Sequence, residues 1–404
     1  MVVRIAKKKS KQKKETIKLL HLSDSPFTNT GYSSQSLFLM NGLSDKGYDI
    51  HYMAHNYVGQ ELPRGCVKLA DGTPFNFHIS GAYKEQYCTD LWKTRLMQHR
   101  PDYFMILLDT FMLYPKYLNF DFAPAKTVFW FPTDGGGTLP LNCDAILRKC
   151  ALPVAMSKFG QQQAKEKHGV DTHYIPHGVD HKNFYPLKGD KRELKAKWGV
   201  ADKFVVGVVG RNQGRKMMDR IFKAFALFAP HAPDAILLMH CDPNDAASAF
   251  NMQNIIDRYN LQNRVLFTGV TYTNGFTYEK MNELYNVADI HFSSTSGEGF
   301  GVCTIESMAC GVPVVITDYT TSRELVIDDI QCGEVVDLSA EITGSWNVER
   351  AVMNVEDGAA KLKKLYDDPK LRAKYGKAGR KKVMKYYTWD VVQKSWDKLL
   401  RGNL

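Results

Sequence analysis

Gly297-Glu298-Gly299-Phe300-Gly301-Val302-Cys303-Thr304-Ile305-Glu306-Ser307-Met308-Ala309-Cys310-Gly311-Val312-Pro313-Val314-Val315 is the stretch whose reading decides the architecture. Gly297, Gly299 and Gly301 let a ligand approach the backbone closely. The loop opens into an apolar helix, and a helix N-terminus, with its unpaired N–H groups and dipole, attracts phosphate. A strand over Val314–Thr317 follows. Glu298 sits in the glycine loop, and Glu306 lies inside the helix, flanked by Ile305 and Met308. A charge there is rare without a ligand or a partner.

Outward from this stretch, strands and helices alternate. Toward the N-terminus, strands are expected at Ile17–Leu22, Tyr48–Ala54, Tyr103–Leu108, Thr127–Phe131 and Pro153–Met156, with a helix at Ser33–Leu43. A second set starts at strand Phe204–Val209. It continues through helix Asp219–Phe228, strands Ala235–His240 and Val265–Thr268, helix Glu279–Val287 and strand Asp289–Ser293. Helices near Ala351–Tyr366, Lys370–Lys385 and Trp389–Arg401 close the chain. The apolar runs lack period-two alternation, which suits parallel strands covered on both faces. The pattern predicts an α/β chain of two doubly wound sheets facing each other across a cleft, where such folds bind ligands. The turn-rich segment from Pro176-His177-Gly178-Val179-Asp180 to Pro186 reads as the linker. The expected division is a basic leader over 1–15, a first domain over 16–180, a second over 181–385 and a closing helix over 386–404.

At 404 residues the chain has room for about two domains. Its apolar runs are too short to span a bilayer, and the basic start lacks the apolar core of a signal peptide. Eight scattered cysteines form no C-x-x-C and no zinc spacing, as expected of free thiols in a reducing cytosol. The net charge of +10 is uneven: +7 lies in residues 1–18 and +9 in residues 361–385, which leaves −6 for the rest. A mildly acidic body argues against a basic nucleic-acid groove across the fold. For the run Lys7-Lys8-Lys9-Ser10-Lys11-Gln12-Lys13-Lys14, the alternatives are a solvated leader and weak association with an anionic surface, a polyanion or an import receptor.

Three further motifs carry chemistry. Val209-Gly210-Arg211-Asn212-Gln213-Gly214-Arg215-Lys216 follows the first strand of the second set. It puts Arg211 at a strand tip and Lys216 near the next helix, a fixed fork and a mobile ammonium suited to a diphosphate. Ser25-Pro26-Phe27-Thr28-Asn29-Thr30-Gly31-Tyr32-Ser33 is a polar loop with Gly31 just before a helix, where nucleotide folds meet phosphate or sugar. Phe129-Trp130-Phe131-Pro132-Thr133-Asp134-Gly135-Gly136-Gly137 ends an aromatic strand in a carboxylate and three glycines. Asp134 there orients an acceptor hydroxyl, stabilises positive charge at a sugar carbon, or caps a loop. Asp109 has similar geometry, and His177 either lines the cleft or is a structural histidine. No Asp-x-Asp pair occurs, so no metal site is expected; Arg211, Lys216 and a helix dipole are candidates for holding the diphosphate instead.

Together these residues resemble the retaining glycosyltransferases of family 4 (the glycosyltransferase group 1 family), which have the GT-B fold of two Rossmann-like domains with a C-terminal helix packing back onto the first. The most specific element is the E-x7-E pattern from Glu298 to Glu306. Gly210-Arg211 with Lys216, the linker Tyr174-Ile175-Pro176-His177-Gly178-Val179-Asp180, and Ala288-Asp289 add to it. The resemblance covers roughly residues 16–400. It implies a metal-independent, cofactor-free transfer of a sugar from a UDP-, GDP- or ADP-sugar donor to an acceptor hydroxyl, with retention. It implies that Glu306 holds the donor ribose, and that Glu298 with the amides of Gly299, Phe300 and Gly301 holds the transferred sugar. Arg211 and Lys216 would neutralise the leaving diphosphate, aided by amides at Val302, Cys303 and Thr304. Gly31 would let the first-domain loop close over the donor, and Val270–Tyr272, including Thr271, would border the base. Many members place a histidine after the strand ending at Phe131, whereas this chain has Thr133-Asp134. The competing readings are a nucleotide-sugar epimerase, a sugar phosphorylase, a non-catalytic sugar- or nucleotide-binding module and a nucleic-acid-modifying transferase. The expected location is cytoplasmic, at most peripheral to a membrane.

Overall fold

A computed structural model describes residues 16–404 apart from 29, 69–71, 82–84, 86, 138, 140–142, 246, 247, 272 and 273. The basic leader expected over 1–15, Asn29 of the first polar loop and Tyr272 of the base-side loop lie outside the described residues. No helix among the described residues is long and apolar enough to cross a membrane.

Strands run in chain order as β1 (Lys18–Asp24), β2 (Asp49–His55), β3 (His78–Gly81), β4 (Tyr103–Leu107), β5 (Lys126–Phe131), β6 (Gly136–Gly137), β7 (Leu152–Ala155) and β8 (His173–Tyr174). All but β6 form a seven-stranded parallel sheet in the order β3-β2-β1-β4-β5-β7-β8. The second half gives β9 (Phe204–Val209), β10 (Ala235–His240), β11 (Val265–Phe267), β12 (Ile290–Ser293), β13 (Val314–Thr317) and β14 (Gly333–Val336). These form a six-stranded parallel sheet in the order β11-β10-β9-β12-β13-β14. The central strands are buried along their length because helices cover both faces; every residue of β4 is buried.

Each sheet reverses its strand order once, between β1 and β4 in the first and between β9 and β12 in the second. A crevice opens outside the strand C-termini at such a reversal. The residues delivered there are Asp24 and Asp109 from one sheet, and Gly210, Arg211 and Glu298 from the other, and all of them line one shared cavity.

One expectation needs correction. The helix expected from Ala351 starts later, because Ala351–Met353 belong to a strand. β15 (Leu338–Thr343) and β16 (Val348–Met353) form an antiparallel hairpin, and β6 of the first half joins its edge. The helix that follows is Val355–Asp367. Asn354 fixes its start, since its side chain accepts from the amide of Asp357. Pairing with β15 then takes the preceding residues out of the helical register.

The closing helix Trp389–Arg401 packs back on the first half, against the helix Gly31–Asp45. Trp396 is fully buried, edge-on to Trp130 at 5.2 Å. Tyr48 Oη donates to Asp397 Oδ1 at 2.9 Å, and Tyr103 Oη to the Leu400 carbonyl at 2.6 Å. The chain therefore crosses between the halves twice. The crossings lie side by side, with Val179 bridged to Thr388 and its amide bonded to the Tyr387 carbonyl at 2.8 Å. Gly178 is required there, because a Cβ would come within 2.5 Å of the Trp389 indole.

Candidate active site

Two loops distant in sequence are stitched into one wall of the cavity. After β9 the chain passes Gly210, at φ +157°, and the Lys216 stem folds back over it. The backbone at Arg215–Met217 is then held from the other loop. Ser296 donates to the Arg215 carbonyl through its amide at 2.7 Å and its hydroxyl at 2.9 Å. Ser294 Oγ donates to the carbonyls of Lys216 and Met217 at 2.9 and 2.8 Å. Met217 sits at φ +46°, a strained turn for a residue with a side chain, which this stitching over-determines.

That turn aims two cations at Glu298. Arg215 Nη1 lies 2.8 Å from Oε2, and Lys216 Nζ pairs with Oε1. The carboxylate is only 14% exposed. Burial pushes its pKa up, but the two cations outweigh burial and hold it at about 2. The same pairing keeps the Arg215 guanidinium firmly charged. Arg211 also lines the cavity, but its fork is bound bidentately by the buried Asp245, at 2.7 and 2.8 Å. The cation turned toward the E-x7-E loop beside Lys216 is thus Arg215, whereas the sequence pattern named Arg211.

Glu306 sits one turn inside the helix Val302–Ala309, whose N-cap is Gly301 at φ +104°. Its partner is Tyr285 Oη, donating to Oε2 at 2.6 Å. Burial raises its pKa to about 7, and the tyrosine offsets only part of that. Thr304 already donates its amide to the Gly301 carbonyl at 3.1 Å. Val302 and Cys303, both lining the cavity, supply first-turn amides that a helix leaves without an intrahelical acceptor.

The first sheet contributes an acidic wall. Thr30 caps the helix Gly31–Asp45 and donates to Asp24 Oδ2 at 2.5 Å. Tyr32 Oη donates to Asp109 Oδ1 at 2.9 Å, and burial lifts the Asp109 carboxyl to about 6. Asp134 is paired with Arg350 of the second half, Oδ2 to Nη2 at 3.1 Å. Gly31 has open space around its Cα, while Gly299 packs so closely on Pro132 that a Cβ would lie 2.8 Å from the proline Cβ. His177 reaches the cavity from the linker, edge-on to Trp130 at 4.6 Å.

The cavity measures about 590 Å³. Every described residue singled out from sequence for catalysis or donor contact lines it, Val270 and Thr271 included. Among the residues not singled out, Arg215 and Asp245 line the cavity, while Tyr285 and Arg350 bond to residues that do. Arg215 was visible in its motif; Asp245, Tyr285 and Arg350 are brought in by the fold from distant positions. Chemically, the second-half wall offers two cations and helix amides beside two carboxylates with opposite pKa shifts. The first-half wall offers carboxylates and a tyrosine.

Two parallel sheets that share one crevice at their switch points form the GT-B architecture. Residues 190–382 match the model of the glycosyl transferases group 1 family, and that stretch of the chain belongs to it. The chain is 26% identical over 181 residues to the mannosylfructose-phosphate synthase of Agrobacterium fabrum, covering 43% of this chain and 38% of that protein. It is 34% identical over 161 residues to the lipopolysaccharide core biosynthesis mannosyltransferase of Rhizobium meliloti, covering 39% of this chain and 43% of that protein. The match thus spans less than half the length of either relative. Among solved structures, Anabaena HepE in complex with UDP-glucose superposes with a TM-score of 0.72 at 17% identity, over 96% of this chain and 100% of that one. That likeness is one of fold.

Proposed function

We propose that the chain transfers a hexose from a nucleotide-diphosphate sugar to an acceptor hydroxyl, with retention and without a metal cofactor. The observation that carries this is the grip of Arg215 and Lys216 on Glu298, with Glu306 of the helix Val302–Ala309 lining the same cavity. Breaking a sugar–phosphate bond builds negative charge on the diphosphate and positive charge on the ring. Fixed cations and N–H groups aimed at that oxygen stabilise the transition state most. Lys216 and the amides of Val302 and Cys303 take this role, with Arg215 supporting and Arg211 held in reserve by Asp245. Glu298 binds hydroxyls of the transferred sugar, and Glu306, unpaired with any cation, accepts from the ribose. The leaving phosphate helps to deprotonate the acceptor.

The acidic wall of Asp24, Asp109 and Asp134 supports a further reading of the acceptor. No Lys or Arg from the first sheet is among the described residues lining the cavity. An acceptor carrying phosphate next to its hydroxyl would meet Asp24 and Asp109, while Arg350 offsets the charge of Asp134, so the acceptor is read as an uncharged polyol.

The test is a thermal-shift screen over UDP-, GDP- and ADP-sugars. A donor at about 100 times its Kd adds about 2.7 kcal/mol to stability. Lys216→Ala and Glu306→Ala, with the fold intact, are expected to abolish turnover of the donor that shifts. Unchanged turnover in both variants would refute the proposal.

A further inference from the structure

The three glycines after Asp134 have no role in donor chemistry, yet the fold uses each of them. β6 lies along β16 with Gly136 opposite Glu349 and Gly137 opposite Val348. A Cβ at Gly135 would fall 2.2 Å from Val348 Cγ1, so the hairpin can lie on this segment only because side chains are missing. Tyr319 Oη accepts from the Gly136 amide at 2.9 Å and donates to the Glu349 carbonyl at 2.8 Å. Arg350 donates to both the carbonyl and the carboxylate of Asp134. The Asp134 carbonyl also abuts Gly297, where a Cβ would sit 1.9 Å away. At its root the hairpin is tied to the donor loop, the Ala351 amide donating to the Ser296 carbonyl at 3.1 Å. At its tip Trp346, 48% exposed and at φ +66°, stacks on Phe111 at 5.2 Å, next to the cavity residue Met112.

We infer that the hairpin Leu338–Met353 is a releasable clasp across the cleft, and that Arg350 is a positioning residue that aims Asp134 at the acceptor when the clasp is shut. The inference rests on the transferase reading for the role of Asp134, but not for the clasp itself. The two sides of the molecule are unequally joined. On the linker side the halves share the buried Trp389, Trp396 and Leu400 and the paired crossings at Val179 and Thr388. On the clasp side they share a two-residue strand pairing, the Gly136 amide bond to Tyr319, the Arg350 contacts with Asp134, and two ring contacts, Phe159 with Tyr319 and Phe111 with the half-exposed Trp346. Sparse, solvent-edged contacts open first, so the cleft pivots at the crossings and parts at the clasp. Shutting it brings Asp134, the donor loop through Ser296 and Gly297, and the first-half rim at Phe111 into register in one step. Domain closure of this kind completes a catalytic constellation and excludes water.

A crosslink tests it. A Cβ at Gly136 would lie 3.8 Å from Glu349 Cβ, the spacing of a disulfide. Tyr319 Oη sits 2.9 Å from that Cβ, so Gly136→Cys with Glu349→Cys is made together with Tyr319→Phe. Nucleotide release from UDP-glucose or GDP-mannose is expected to fall about tenfold or more on oxidation and to recover on reduction, with wild type unaffected by the same treatment. Equal turnover oxidised and reduced would overturn the clasp. For Arg350, Met in its place is expected to lower kcat about tenfold at unchanged donor KM, with Lys restoring part of it. An unchanged kcat, or a donor KM that moves in step, would overturn the positioning role. Hydrogen exchange needs no substrate: amides of 135–137 and 348–350 are expected to exchange about 100-fold faster than those of β1. Equal protection would overturn the clasp even if no donor binds, whereas fast exchange with no donor turnover would count against the transferase reading alone.

Discussion

Tyr285 Oη donates to Glu306 Oε2 at 2.6 Å, while Glu298, at the other end of the same motif, is held by two cations. The E-x7-E pair thus consists of one carboxylate that is ionised at every physiological pH and one poised near neutrality.

Donor binding should therefore depend on pH through Glu306. Its folded pKa of about 7 lies above the ordinary 4.5. A raised carboxyl adds stability that is complete below the unfolded pKa and is lost as pH rises through the folded one. Melting temperature relative to Glu306→Gln should consequently fall between about pH 4.5 and 7. Donor affinity should rise over the same window, because hydroxyls donate better to the ionised form, and Glu306→Gln should flatten that rise. Calorimetric titration across this range checks both, and a pH-independent wild-type affinity would contradict the assignment.

Glu298 should show the opposite sign. Its pKa is depressed to about 2 from 4.5, so the ion cluster stabilises the fold above the unfolded pKa and weakens as pH falls toward 2. Glu298→Gln should lose part of the acid sensitivity of unfolding. Arg215→Met should lower kcat about 100-fold or more if the guanidinium supports the leaving diphosphate. Arg211→Met, whose fork serves Asp245, should lose less. If Arg211→Met were instead the more damaging change, the roles would have to be exchanged.

What the sequence disclosed follows from how local each feature is. The glycine loop, the helix and Glu306 lie within one βαβ connection, so spacing alone locates them. The βα alternation likewise gives both sheets, because buried parallel strands read as unbroken apolar runs. Short edge strands such as β3 and β14 fall below that signal. That Arg215 rather than Arg211 reaches Glu298 depends on Asp245 and the serines that turn the loop, and neither motif contains them. The hairpin was missed for a related reason. β15 is largely exposed, so its residues carry no core pattern; pairing with β16, and of β16 with Gly136 and Gly137, makes it a strand.

The closing helix should be indispensable to both halves. Trp396 is fully buried against Trp130, and Leu400 anchors Tyr103. Trp396→Ala should cost about 3–5 kcal/mol. Because the residue joins the halves, calorimetry should show a lowered transition for the first half together with loosening between the halves. Loss confined to the second half would mean that the helix belongs to it alone.

The acidic first-half wall gives the last prediction, which separates this chain from a relative named for a phosphorylated product. With Asp24 and Asp109 on the first-half wall of the cavity and Asp134 offset by Arg350, unit charges at about 4 Å repel by about 4 kcal/mol at an effective dielectric of 20. Even a fraction of that excludes a phosphate by an order of magnitude or more. In donor-loaded protein, glucose 6-phosphate should inhibit or accept far more weakly than glucose or methyl glucoside. The gap should narrow with salt, since screening acts on exposed charge. Asp24→Asn and Asp109→Asn together should narrow it as well, while leaving the donor-induced thermal shift in place. A phosphorylated sugar that binds as well as its neutral parent at low salt would remove the electrostatic argument, leaving acceptor choice to shape.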